Sequence, residues 1–67
     1  MERKKYHVEE DIVDTVLETN DKDEAIREWK KRHRARPDLY HEIWTWNEDL
    51  GLYSGTHQYK PGDIVHE

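Results

Sequence analysis

The segment from Tyr40 to Trp46 most limits how this chain can fold, because it concentrates the large apolar side chains. It holds two of three tryptophans and one of four tyrosines, in a 67-residue chain that has no Phe and is 33% hydrophobic. A buried aromatic side chain removes roughly 150–250 Å² from water. The segment must therefore supply either much of a core or an interaction surface, and its conformation decides between the two.

Two conformations of this segment are compatible with its pattern. A helix after Asp38 would gather one apolar stripe and stop at Gly51; that stripe is Leu39, Ile43, Trp46 and Leu50. A strand would divide the side chains between two faces, with His41, Ile43 and Thr45 on one and Tyr40, Glu42, Trp44 and Trp46 on the other. Aromatic and β-branched residues favour pleated surfaces, so the sequence favours the strand, followed by a turn over residues 47–51.

The clearest element is a helix from Asp23 to Ala35. Asn20 or Asp21 can cap its first turn, with Glu24 at capping-box distance, and Pro37 ends it. One stripe at helical spacing consists of Ala25, Ile26, Trp29 and His33. Acidic residues come first and basic residues last, an order that complements the helix dipole.

The segment from Tyr6 to Thr19 is predicted to be a β-hairpin with a turn near Asp14. Its Val, Ile, Thr and Tyr residues favour strand, and Tyr6, Val8 and Ile12 share one parity, with the charged Glu10 out of place among them. The same apolar positions also fit one face of a helix. That alternative, together with a helical Tyr40–Trp46 segment, would make the protein a three-helix bundle.

These elements predict an α+β fold: a small ββαβ domain with one helix packed on a short antiparallel sheet. Sixty-seven residues allow one domain. We assign residues 1–53 to that domain and residues 54–67 to a loop-rich C-terminal tail or edge segment. The stretch Gly55–Asp63 has turn and loop composition, and Ile64 and Val65 are suited to a short edge strand or an anchor.

Composition excludes several classes of protein and site. The chain has no Cys, which removes disulfides and thiolate metal sites. No apolar run reaches the roughly 18 residues of a membrane span, and the N-terminus lacks the apolar core of a signal peptide. We therefore expect a cytoplasmic protein. The net charge of −5 disfavours non-specific nucleic-acid binding and suits a partner with a basic surface.

Basic residues cluster in the second half of the helix and just after it. They could contact phosphates or simply complement the dipole at a solvated helix end. The candidate phosphate contacts are Arg27, Lys30, Lys31, Arg34 and Arg36, with Arg32 in the same run.

The remaining polar residues carry no recognisable catalytic or metal motif. The five histidines (His7, His33, His41, His57 and His66) lack the fixed spacing of a metal site, and we expect them on the surface, except His33 at the polar end of the helix stripe. A dense acidic set could imitate a phosphate backbone or form a solubilising face: Glu9, Glu10, Asp11, Asp14, Glu18, Asp21, Asp23 and Glu24. We expect neither an enzyme nor a bound metal or cofactor.

The strand interpretation leads to a functional hypothesis. It directs Ile43 toward the helix and leaves Tyr40, Trp44 and Trp46 on the opposite face, with nothing obvious in the chain to cover them. Exposed aromatic residues are typical of interfaces. We therefore expect a small acidic protein-binding module, an inhibitor or adaptor of the bacterial or bacteriophage accessory type. The alternatives are a nucleic-acid binder that uses the basic helix end, and a homodimer formed through the aromatic face.

Overall fold

The computed structural model describes residues 3–66, in which one helix packs on one face of a four-stranded sheet. The elements in chain order are β1 (Tyr6–Glu10), β2 (Asp14–Thr19), α1 (Lys22–Ala35), β3 (His41–Asn47) and β4 (Leu52–Tyr59). The strand order is β2-β1-β3-β4, and every neighbouring pair is antiparallel. The predicted small α+β fold is confirmed, and the three-helix alternative is wrong.

The β1–β2 hairpin is present where the sequence predicts it. Its register pairs Tyr6 with Thr19 and Glu10 with Asp14. The turn holds Ile12 and Asp14 at positive φ, 77° and 74°. This conformation is unusual for a β-branched residue, and the Ile12 side chain is 81% exposed. The hairpin therefore ends in an exposed apolar tip rather than in the Gly or Asn that such a turn favours.

Helix α1 begins one residue earlier than predicted and ends at Ala35. Asp21 is the N-cap, and its Oδ1 accepts hydrogen bonds from the backbone N–H groups of Asp23 (2.9 Å) and Glu24 (3.3 Å). Thr19 Oγ1 donates to Glu24 Oε1 at 2.5 Å. The two bonds to Asp21 satisfy amides that have no partner within the helix, and the Thr19–Glu24 bond attaches the start of α1 to the end of β2.

The aromatic segment is a strand, and the helical alternative for it is wrong. β3 pairs with β1 on one side and β4 on the other. The assignment of residues 55–59 to turn and loop is also wrong, because they belong to β4, an edge strand. Gly55, His57 and Gln58 carry little strand propensity, but pairing with an interior strand satisfies their backbone groups. A bulge shifts this register: Ile43 pairs with His57, whereas Trp44 pairs with Gly55.

The core lies between α1 and the inner strands. Its buried cluster is Val8, Ala25, Trp29 and Ile43. Trp29 also stacks on Tyr59, with ring centroids 4.0 Å apart. A buried apolar side chain contributes roughly 1.5–3 kcal/mol to the stability of the fold. Because this core contains few aliphatic side chains, the aromatic contacts from β4 are an important part of it.

The described part of the chain contains no helix with the length and apolar character needed to cross a membrane. α1, with 14 residues, is its only α-helix.

Candidate interaction surface

The sheet has one face packed against α1 and one face without a second layer in residues 3–66. Ile43 lies in the core with Trp29, so the neighbouring Trp44 points to the other side, as side chains alternate along a strand. We call this second side the open face. By strand register it comprises Thr15, Glu18, His7, Glu9, Glu42, Trp44, Trp46, Tyr53, Gly55 and Gln58.

One end of the open face is aromatic and basic. Trp46 meets Tyr53 edge to face, with ring centroids 5.1 Å apart, and the Arg3 guanidinium lies 3.8 Å from the centre of the Trp46 ring. Tyr53 also lies 4.3 Å, centroid to centroid, from His7, and its hydroxyl donates to the Lys4 carbonyl at 2.5 Å. These contacts fix the rings in place, which lowers the entropy that a partner would have to remove on binding.

The other end of the open face is organised by the Glu42 carboxylate, which is only 8% exposed. Gln58 Nε2 donates to Glu42 Oε2 at 2.8 Å. Burial, and next the charge of Glu42 and a hydrogen bond to it, raise the pKa of the Tyr40 phenol above its ordinary value. A Cβ atom at Gly55 would lie 2.2 Å from Glu42 Oε2. The absence of a side chain at Gly55 therefore makes room for this carboxylate.

A second carboxylate faces Glu42 directly across the sheet. Glu9 pairs with Glu42 in the β1–β3 register, and like charges at opposed positions repel each other. Glu9 Oε2 is buried, yet it has no hydrogen-bond partner within the described residues. A buried oxygen without a donor is costly, so this end of the face is suited to a cation or hydrogen-bond donor from outside the chain.

The structure brings the three predicted contact residues onto one face. Tyr40 precedes β3 and shares the parity of Trp44 and Trp46, and all three side chains are half-buried. The expectation that nothing in the chain covers them needs correction, because Tyr53 and Arg3 pack on Trp46.

Sequence reasoning missed the contributions of Tyr53, His7, Arg3 and Gly55 to this face. The positions of Tyr53, His7 and Gly55 depend on strand register, and Arg3 reaches the face from the segment before β1. An isolated Gly in a polar stretch was the one available signal, since such a Gly often marks a bulge or a close approach.

The basic residues predicted as phosphate contacts lie away from the open face, on α1 or at its C-cap. Four of them occupy positions i, i+3, i+4 and i+7 and line one shallow groove: Arg27, Lys30, Lys31 and Arg34. Arg36 is not among the groove residues; it lies at the helix C-cap, 3.5 Å from Asp38. Arg32 Nε donates to Glu28 at 2.7 Å. The candidate phosphate contacts are therefore divided between a groove and a separate ion pair.

Two histidines occupy the interior. His33 and His41 are both fully buried, with their Nδ1 atoms 2.7 Å apart. The expectation that His41 lies on the surface is wrong, because β3 directs it toward α1. Burial, and next the nearby Lys22 ammonium, lower the pKa of a third histidine, His57. Among residues 3–66, no group of three or more potential ligands is arranged to hold a metal ion.

The acidic set predicted as a possible phosphate mimic is divided among different parts of the fold. Glu10 is buried on the helix side, while Glu9 and Glu18 belong to the open face. Asp21 and Glu24 take part in the helix cap. These carboxylates therefore do not line up along one surface as a phosphate backbone would.

The chain matches no known protein family, no characterised protein and no solved structure.

Replacing Gly55 with Ala should destabilise the domain by about 1–3 kcal/mol, the usual cost of disrupting the hydrogen bonding of a buried polar group. The new methyl group must displace the Glu42 carboxylate from Gln58. Chemical denaturation of the wild type and Gly55→Ala measures this cost. In a Glu42→Ala background the cost should disappear. An equal cost in both backgrounds would show that the methyl group acts elsewhere.

Proposed function

We propose that this protein is a small protein-binding module, an inhibitor or adaptor, whose open face receives a partner with a basic surface. The observation that carries the proposal is the position of Trp44 and Trp46 on a sheet face that no other element of residues 3–66 covers. Tryptophan and tyrosine are enriched among the residues that dominate binding energy.

The charges on the open face support a partner of defined chemistry. Trp44 lies between the aromatic end at Trp46 and the carboxylate pair of Glu9 and Glu42. A partner with an apolar side chain over Trp44 and a lysine or arginine beside the two carboxylates would match both ends. That cation would also supply the donor that Glu9 Oε2 lacks. The net charge of −5 would steer such a partner toward the domain.

Site-specific photocrosslinking can locate this partner. A photoreactive phenylalanine analogue at position 44 should capture a protein in cells that express the chain, whereas the analogue at position 64 should not. Ile64 is a suitable control because it is 74% exposed and follows Asp63, which contacts the helix side of the molecule. Equal capture at both positions would contradict the proposed surface.

Titration of the captured, purified partner then tests the residues. Trp44→Ala should weaken binding about tenfold or more, the loss expected at an energetically dominant interface residue, and Glu42→Gln should weaken it through lost charge complementarity. Ile64→Ala should leave the affinity within about twofold, as is usual outside such positions. Circular dichroism must show that each variant is folded. Unchanged affinity for folded Trp44→Ala would refute the proposal.

The groove on α1 favours a second candidate function, nucleic-acid binding. Arg27, Lys30, Lys31 and Arg34 form one continuous basic stripe on the side of the helix that faces away from the core. Such a stripe can follow a phosphate backbone, whose neutralisation releases counterions. The overall acidity of the chain opposes this function, so it ranks second.

A salt titration with DNA and RNA oligonucleotides tests this candidate. Binding should weaken steeply as salt rises, and replacing Lys30 and Lys31 with Gln should lower the magnitude of the log–log salt slope by about 0.9 per lost contact on duplex DNA. Lys60→Gln, which removes a charge outside the groove, is the matched control. No binding at low salt, or an equal loss in the control, would eliminate this function.

A further inference from the structure

A continuous chain of hydrogen bonds runs through the interior on the helix side of the sheet. Glu10 Oε1 lies 2.8 Å from His41 Nε2, and His41 Nδ1 lies 2.7 Å from His33 Nδ1. His33 Nε2 then lies 2.9 Å from the carbonyl oxygen of Asp63. Both imidazoles are completely buried, and Glu10 is 5% exposed. These hydrogen bonds thus link β1, β3, α1 and the segment that follows β4.

The geometry fixes the number of protons in this series of hydrogen bonds. The Asp63 carbonyl can only accept, so His33 Nε2 must donate to it. One proton must also lie between the two Nδ1 atoms, and another between His41 Nε2 and Glu10. Three hydrogen bonds therefore need three protons, whereas two neutral imidazoles and a carboxylate supply only two.

The cost of burying a charge leads to the same number of protons, three. An uncompensated buried carboxylate is strongly unfavourable, and a third proton makes the Glu10–His41–His33 group neutral as a whole. The proton can reside on Glu10, His41 or His33 without changing the total, because each transfer moves it along an existing hydrogen bond. We propose that the folded domain holds one shared proton in this group, which links its stability and the anchoring of residues 60–66 to pH.

Other charged and titratable groups surround the Glu10–His41–His33 group, and they come from every neighbouring element. Asp14 of β2 pairs with Glu10 in the hairpin register, and Tyr59 of β4 stacks on His33, with ring centroids 4.7 Å apart. Burial raises the pKa of Tyr59, with opposed smaller effects of Arg34 on α1 and the Asp63 side chain. The Asp63 carboxylate accepts a hydrogen bond from the Lys60 backbone N–H at 2.7 Å. It is therefore engaged elsewhere and takes no part in the hydrogen bonds of Glu10, His41 and His33.

The proton count determines how stability should respond to pH. Above about pH 7.5, unfolded Glu10, His33 and His41 hold two protons together, since imidazole ordinarily titrates near 6.5. The folded group holds three, so unfolding releases one proton. Raising the pH then favours unfolding, by about tenfold in the unfolding equilibrium constant per pH unit. In acid the unfolded imidazoles bind more protons than the folded group, and the sign reverses. The contribution of this group is greatest near pH 6.5, where both states hold three protons.

Glu10→Gln is the decisive variant because it preserves shape while removing the need for the third proton. The Gln amide can donate to His41 Nε2, so two neutral imidazoles complete all three hydrogen bonds. We expect the wild-type unfolding constant, measured by denaturant titration from about pH 7.5 to 9, to rise about tenfold more per pH unit than that of Glu10→Gln, because only the wild type releases one proton on unfolding.

Glu18→Gln is the matched control for this experiment. Glu18 pairs with His7 at 3.1 Å, but its side chain is 56% exposed, so its removal should leave the slope above pH 7 unchanged. Parallel slopes for the wild type and Glu10→Gln would overturn the proposal.

A spectroscopic measurement keeps the proposal testable if Glu10→Gln does not fold. Proton NMR of the wild type above about pH 8, where free imidazole is neutral, should detect three hydrogen-bonded protons along Glu10, His41 and His33, whether each is bound to an imidazole nitrogen or to the Glu10 carboxyl oxygen. A spectrum that shows only two of these protons in the folded protein would overturn the proposal as well.

Discussion

The alternation of side chains along β3 governs the arrangement of the rest of the structure. β3 lies between β1 and β4, so both its edges are hydrogen-bonded. With its register fixed, His41 and Ile43 point toward α1, and Trp44 and Trp46 must point away. A slip by one residue would exchange the two sets, burying the tryptophans under the helix and exposing Ile43. One strand thus builds both the core and the open face.

The small core requires polar and aromatic groups to take the place of aliphatic ones. Trp29 and His33 both stack on Tyr59, which attaches the edge strand to the helix. Below this stack, His41 and Glu10 occupy interior positions that aliphatic residues would fill in a larger domain. Such groups stabilise a fold only when every hydrogen bond is made, so the interior depends on its protonation as well as on its packing.

Much of the framework could be predicted from local sequence. The cap at Asp21, the stripe containing Trp29 and the parity of Ile43 against Trp44 all follow from patterns within a few residues. The pairing of His41 with Glu10 could not be predicted in this way, because it joins positions 31 residues apart and depends on the β1–β3 register. The out-of-place parity of Glu10 was its only local signal. β4 was missed because its polar sequence gains its structure from pairing with β3.

The central claim is that β3 places Trp44 and Trp46 on an accessible face while α1 carries Trp29 into the core. Fluorine NMR of the protein labelled with 5-fluorotryptophan tests it directly, with each resonance assigned by Trp→Phe substitution. On transfer from H₂O to D₂O, the resonances of Trp44 and Trp46 should shift more than that of Trp29, which is 8% exposed. Equal, small shifts at all three positions would mean that the open face is covered, and would contradict the account.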